Sequence, residues 1–127
     1  MTTMTSADRF VTGGVDTHRD FHVAAALDHL GGVLATAQFP TTMAGYRSLL
    51  SWLASFGTVD AVGVEGTGSY GAALARHLAQ AGVRVIEVGR PKRQVRRRHG
   101  KTDVVDAIAA GRAVLSGDAS ATPKSHD

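Results

Sequence analysis

The stretch RFVTGGVDTHRDFHVAAALDHLGGVLATAQF, Arg9–Phe39, decides the fold because it holds three apolar segments separated by two short turns. RFVTGGVD predicts a strand that ends at Asp16, and THRD forms the turn after it. FHVAAALD alternates with period two, which is typical of a half-buried strand. HLGG is a turn with two glycines that suits a hairpin, and VLATAQF is a third strand. Three consecutive strands with short connections predict an antiparallel meander.

After Phe39 the pattern changes to alternating helices and strands. Thr41 or Thr42 can cap a helix whose apolar residues recur at helical spacing, namely Tyr46, Leu49, Leu50 and Leu53. A strand DAVGVE, a glycine-rich turn GTGSY, a second helix and a fifth strand VRVIEV follow. Thr102 is the expected cap of a last helix with an apolar stripe at Val104, Ile108, Gly111 and Leu115. This order predicts an α/β domain, in which a mixed sheet of about five strands carries helices on its faces.

Length and composition indicate one soluble domain. The chain has 127 residues and no cysteine, which excludes disulfides and thiolate metal sites. No apolar run approaches the roughly 20 residues of a membrane span, and the start lacks the order of a secretory signal, so we expect a cytoplasmic protein. We expect a disordered leader over 1–10, a domain over 11–117, and a polar tail or truncated linker over 118–127.

Positive charge is concentrated in one segment. The net charge of the chain is +3. Seven of its basic residues lie between positions 90 and 101, and the rest of the chain carries seven basic and eleven acidic residues. Such a localised cluster is typical of nucleic-acid binding, although a solvated basic loop would also explain it. The candidate nucleic-acid-binding residues are Arg90, Lys92, Arg93, Arg96, Arg97, Arg98 and Lys101.

Four carboxylates are candidates for a catalytic metal site. Asp16 ends the first strand and Glu65 ends the fourth, and adjacent parallel strands would bring both to one edge of the sheet. Asp103 and Asp106 share one side of the last helix, off its apolar stripe. Four such groups suit two Mg²⁺ ions roughly 4 Å apart in a phosphoryl-transfer site. Each acid alone also has an ordinary explanation, as a turn former, a loop acid or a partner of the helix dipole.

The segments VDTH, VEGTGSYG and RRRHGKTDVVDA resemble the N-terminal domain of DEDD-type insertion-sequence transposases, from about Val11 to Gly117. Those domains share the RNase H-like fold of RuvC Holliday-junction resolvases. The resemblance implies that the catalytic and metal-binding residues are Asp16, Glu65, Asp103 and Asp106. It implies Mg²⁺ as cofactor, with Mn²⁺ as the alternative ion, and DNA as partner. It also allows for a guide RNA, and the sequence separately leaves a homo-oligomer open.

The resemblance implies Mg²⁺-dependent DNA cleavage or strand transfer during transposition. Family members continue into a second domain with a nucleophilic serine, so we expect this chain to be an isolated domain or the product of a truncated element, incomplete without that domain. One alternative is a non-catalytic nucleic-acid-binding remnant of such a transposase. A second is an actin-like or sugar-kinase-type phosphotransferase, which the glycine-free turn THRD disfavours.

Two smaller patterns have a functional and a structural interpretation. GTGSYG is either a phosphate-binding turn before a helix or a tight strand-to-helix connection. His18 and His22 suggest zinc only weakly, because residues i and i+4 of an extended segment lie roughly 13 Å apart.

Overall fold

The computed structural model describes residues 9–89 and 101–117. Its five strands are β1 (Phe10–Thr17), β2 (Phe21–Leu27), β3 (Val33–Pro40), β4 (Thr58–Glu65) and β5 (Arg84–Val88). Its three helices are α1 (Met43–Ala54), α2 (Ala72–Gln80) and α3 (Lys101–Ser116). None of the described helices is long and apolar enough to cross a membrane.

The sheet has the mixed topology that the sequence predicts. Its strand order is β3-β2-β1-β4-β5. β1 pairs antiparallel with β2, and β2 pairs antiparallel with β3, which confirms the meander. β1 and β4 are parallel, as are β4 and β5. The first strand therefore lies at the centre of the sheet, with its carboxyl end beside that of β4.

Helices cover both faces of the sheet. α1 and α2 pack on one face over the larger core cluster, and α3 packs on the other face against β1, β2 and β4. The prediction that β2 is half-buried is wrong, because six of its seven residues are fully buried. β2 lies between β1 and β3 and has helices above and below, so neither of its faces reaches solvent.

The first helix is capped as predicted, whereas the last one begins earlier. The Thr42 side chain accepts a hydrogen bond of 3.0 Å from the Gly45 amide at the start of α1. α3 begins at Lys101, so Thr102 lies inside its first turn and is not the residue before it. A cap at Thr102 is therefore wrong by at least one residue, within the usual uncertainty of helix ends.

Only part of the predicted apolar stripe of α3 meets the sheet, since Gly111 is buried there and the three larger residues of the stripe are not. Ala107, Ala110 and Gly111 are buried, whereas Leu115 is exposed. Val104 and Ile108 are only partly buried and pack at the flank, over the Val23, Ala25 and Leu27 side chains of β2. Small residues occupy the centre of the contact because α3 lies close to the backbone of the sheet.

Candidate metal centre

Asp16 and Glu65 lie side by side at the carboxyl ends of the neighbouring strands β1 and β4, as predicted. Val15 of β1 is paired with Val64 of β4 in the parallel register, and the two acids are the next residues along each strand. Neighbouring strands are about 4.8 Å apart, so the two residues are close. Both are 2% exposed. The Thr17 hydroxyl donates a 3.0 Å hydrogen bond to the Glu65 carbonyl oxygen, which ties the two strand ends together.

Both carboxylates are on the α3 face of the sheet. Side chains alternate between faces along a strand, so residues two apart share a face. Gly14, two residues before Asp16, faces the backbone of α3 at Ala107. Gly63, two residues before Glu65, faces α3 at Ala110. The two strand-end acids therefore point toward the layer that contains Asp103 and Asp106.

Glycines allow α3 to lie against the sheet at backbone distance. A Cβ atom on Gly14 would be 2.1 Å from the Ala107 carbonyl oxygen and 2.4 Å from the Gly111 nitrogen. A Cβ atom on Gly63 would be 2.6 Å from the Ala110 carbonyl oxygen. Real Cβ atoms are not found at these separations, so only glycine is compatible with this packing. The two glycines set the height of the helix above β1 and β4, and with it the height of the acids that α3 carries.

His18 joins Asp16 to Asp103. Its Nε2 atom is 2.7 Å from Oδ2 of Asp16 and 3.2 Å from Oδ1 of Asp103. One ligand atom from each of the three residues lies within 4.8 Å of the others. The Asp16 side chain is almost fully buried, and those of His18 and Asp103 are partly exposed. The site is thus open to solvent on the helix side and closed on the strand side.

Asp106 is on α3, three residues after Asp103. Asp103 reaches the end of β1 one helical turn before Ala107, which lies over Gly14. Ala110 lies over Gly63 of β4 in the same way as Ala107 lies over Gly14. The residue one helical turn before Ala110 is Asp106. This register directs Asp106 toward the strand end that carries Glu65. Among the described residues, the compact group of ligand atoms contains neither Glu65 nor Asp106.

The donors of this group suit a divalent cation. Carboxylate oxygens are ligands for Mg²⁺ and Mn²⁺, and a neutral imidazole nitrogen binds many divalent transition metals. His18 is not among the predicted site residues, because the distance from His18 to His22 assumes an extended segment even though THRD is predicted as a turn. The backbone instead turns here, and the His18 amide donates to the Phe21 carbonyl oxygen at 3.0 Å. The signal available in the sequence was the position of His18, two residues after Asp16.

His22 is on the other face of the sheet and does not form a zinc pair with His18. It is fully buried, and its ring stacks on that of Tyr46 with centroids 6.0 Å apart. Burial lowers the pKa of His22 to about 4. Its Nε2 atom has no hydrogen-bond partner among the described residues. The spacing argument against zinc fails because of the turn, but the opposite orientations of the two rings lead to the same conclusion.

The GTGSYG segment is a tight turn. Gly66 has a positive φ of 69°, and its carbonyl oxygen accepts hydrogen bonds from the amides of Ser69 and Gly71. The Ala72 amide donates to the Ser69 carbonyl oxygen. Three amides that a phosphate group would need are therefore already used within the turn, which supports the structural interpretation.

Most of the predicted nucleic-acid-binding residues lie outside the described residues. This holds for Arg90, Lys92, Arg93, Arg96, Arg97 and Arg98. Lys101 is the first residue of α3. The described chain resumes two residues before Asp103, so the basic segment precedes the candidate metal centre directly in sequence.

Comparisons with known proteins agree with this arrangement. Residues 13–127 match a family of IS110-type DEDD transposases, described as "Transposase". T. thermophilus RuvC in complex with Holliday junction substrate is similar in structure, with a TM-score of 0.59 and 15% identity over 86% of this chain and 95% of that chain. The fowlpox virus Holliday junction resolvase has a TM-score of 0.57 and 12% identity, over 85% of this chain and 98% of that chain. No curated protein matches by sequence.

Proposed function

Because this chain belongs to the family of IS110-type DEDD transposases, we propose that it is a RuvC-like nuclease domain that cleaves or joins DNA phosphodiesters during transposition of an insertion sequence. The observation that carries the proposal is the convergence of Asp16 and Asp103 around His18, with Glu65 beside Asp16 in the parallel register. These residues come from two strands and a distant helix, so local turn or capping roles do not explain their meeting.

In this proposal Asp16, Glu65, Asp103 and Asp106 hold divalent ions, Mg²⁺ or Mn²⁺. Two such ions stabilise the attacking and leaving oxygens of an in-line displacement. Asp16 and Glu65 are 2% exposed, so divalent ions at the strand ends would place positive charge directly beside two buried carboxylates. The strand-end acids supply the fixed part of the site, and the two acids of α3 complete it from the solvent side.

DNA is the proposed substrate, and the basic segment is its proposed docking element. Arginine and lysine side chains bind phosphates without reading sequence, so this segment would position the DNA backbone and leave target choice to other contacts. Because it directly precedes α3 in the sequence, a phosphate bound to it would be close along the chain to Asp103 and Asp106. A guide RNA is a further proposed partner, by family resemblance alone, and a second copy of the chain is another.

Calorimetric titration with Mn²⁺ tests the metal site directly. We expect weak Mn²⁺ binding by the wild type and its loss in the double variant Asp16→Asn/Glu65→Gln. The matched control is Asp60→Asn/Glu87→Gln, which removes the same charge elsewhere. Asp60 lies on the surface of β4, 3.8 Å from Arg84, and Glu87 lies on β5. The control should bind Mn²⁺ as the wild type does.

A cleavage assay on branched DNA tests the activity with the same variants. We expect nicking that requires Mg²⁺ or Mn²⁺ and disappears in Asp16→Asn/Glu65→Gln. Equal Mn²⁺ affinity for the wild type and this variant would refute the four-acid site. DNA binding that neither needs metal nor leads to cleavage would instead identify the chain as a non-catalytic remnant.

A further inference from the structure

The His18 imidazole occupies the position of a ligand in the candidate metal centre. Adjacent ligands of an octahedral ion with bonds of about 2.1 Å are about 3.0 Å apart. The separations from His18 Nε2 are 2.7 Å to the Asp16 oxygen and 3.2 Å to the Asp103 oxygen. The ligand atoms of all three residues lie within 4.8 Å of one another, and opposite ligands of such an ion are about 4.2 Å apart, so the three could face one cation.

The turn between β1 and β2 holds this imidazole in place. The His18 amide donates to the Phe21 carbonyl oxygen and lies 3.4 Å from Nδ1 of His22. The His18 ring packs on the Phe21 ring, with centroids 4.8 Å apart. These contacts fix the backbone and one side of the ring without using Nε2. The ring is thus directed back over the strand end, and its side chain keeps only 32% of its surface exposed.

We propose that His18 is a direct metal ligand through Nε2, and that it gives the site a preference for transition metals such as Mn²⁺ and Co²⁺ over Mg²⁺. The inference rests on the proposed function, which requires only that a divalent ion binds between the acids. Mg²⁺ takes oxygen ligands, whereas an imidazole nitrogen favours later first-row metals in the order Mn²⁺, Fe²⁺, Co²⁺. One nitrogen among carboxylates should therefore separate the affinities for Co²⁺ and Mg²⁺.

The alternative role for His18 is a hydrogen bond that only orients Asp16. Two variants distinguish these roles. His18→Ala removes both the ligand and the hydrogen bond. In His18→Gln the amide nitrogen can still donate to Asp16, but the imidazole ligand is lost. His29→Ala is the matched control, because His29 is exposed in the turn between β2 and β3.

The closing experiment measures the bound metal in the 127-residue chain without any activity assay. Electron spin echo envelope modulation of bound Mn²⁺ reports a nitrogen that is directly coordinated. We expect this modulation in the wild type and in His29→Ala, and its absence in His18→Gln. We also expect the ratio of Co²⁺ to Mg²⁺ affinity to fall at least about tenfold in His18→Ala and His18→Gln, since even indirect ligand partners contribute about 10–100-fold.

The outcomes separate failure of this inference from failure of the proposed function. Mn²⁺ binding that is lost in Asp16→Asn/Glu65→Gln, but shows no nitrogen modulation in the wild type, would overturn the His18 assignment alone. An unchanged affinity ratio in a folded His18→Gln protein would do the same. Mn²⁺ binding that is equal in the wild type and in the double variant would instead overturn the metal site itself.

Discussion

Replacing Gly14 with alanine should move α3 away from the sheet and take Asp103 away from Asp16. The new Cβ atom would be 2.1 Å from the Ala107 carbonyl oxygen, whereas ordinary contact begins at 3.4 Å. It would also be 2.4 Å from the Gly111 nitrogen. Both of these are backbone atoms, so no side-chain rotation can relieve the clash. If β1 stays in place, the helix must retreat by about 1.3 Å, the difference between 2.1 Å and 3.4 Å.

This displacement has a predicted effect on stability and on the metal centre. Overpacking costs about 1–3 kcal/mol, and alanine regains about 0.5–1 kcal/mol relative to glycine in a strand. Because the clash is with backbone atoms, the overpacking cost is taken near the upper end of its range, which leaves a net loss of about 2 kcal/mol and lowers the melting temperature by about 6–10 °C in a domain of this size. The 3.2 Å separation between His18 Nε2 and Asp103 lengthens as well. Sites need placement within about 0.5 Å, so Mn²⁺ affinity should fall about tenfold or more.

Gly13 provides a matched control on the same strand. A Cβ atom on Gly13 would meet Leu53 methyl groups at 3.0 and 3.2 Å and a Val62 methyl group at 3.3 Å, on the face covered by α1. These are the far ends of side chains that can shift by a few tenths of an ångström. Gly13→Ala should therefore change the melting temperature by no more than about 3 °C and leave Mn²⁺ affinity unchanged.

The assay is thermal unfolding followed by circular dichroism, together with Mn²⁺ titration of both variants at a temperature where both are folded. Equal melting temperatures for Gly13→Ala and Gly14→Ala, with wild-type Mn²⁺ affinity in both, would refute the reasoning. The close approach of α3 to β1 would then not be what positions Asp103.

Two further predictions concern the buried histidine and the basic segment. Burial lowers the pKa of His22 from 6.5 to about 4, so the unfolded chain takes up a proton in this range that the native state does not. The titration of His22 therefore does not reduce the free energy of unfolding above about pH 6.5, and it reduces it by up to about 3 kcal/mol as the pH falls to about 4. Urea unfolding at several pH values should show a smaller loss of unfolding free energy at acid pH in His22→Asn than in the wild type. An equal loss in both proteins would show that other titratable groups cause it. If the basic segment contacts phosphates, DNA affinity should fall with salt by roughly 0.9 log units per phosphate. Changing Arg96, Arg97 and Arg98 to Ala should reduce this slope by about two to three units without unfolding the domain, whereas an unchanged slope would indicate a solvated loop.

The sequence alone determined the meander of β1, β2 and β3 and the positions of Asp16 and Glu65 at the ends of their strands. Alternation of apolar residues and short turns identify a strand locally, and a hairpin leaves little freedom in how its strands pair. The crossover through α1 then returns the chain to a strand parallel to β1. Both acids end their strands, so their proximity followed once β1 and β4 were adjacent.

Only the tertiary structure decided which side of α3 faces the sheet. The helical pattern pointed to Val104, Ile108, Gly111 and Leu115, because large apolar residues dominate any measure of periodicity. Of these four residues only Gly111 is buried at the centre of the contact, together with Ala107 and Ala110, which the pattern did not include. Their small size lets two backbones approach, and no property of the helix sequence taken alone reveals that β1 and β4 present glycines opposite it.

The position of His18 likewise depended on contacts between distant residues. From the sequence it is a polar residue in a turn, equally suited to face solvent. The turn directs its ring over the strand end, where Asp103 arrives from a helix 85 positions further along the chain. A local pattern can identify residues that suit a metal, but the ligand set is fixed by the distances between separate elements. Those distances follow from how closely the layers pack, which here is set by Gly14 and Gly63.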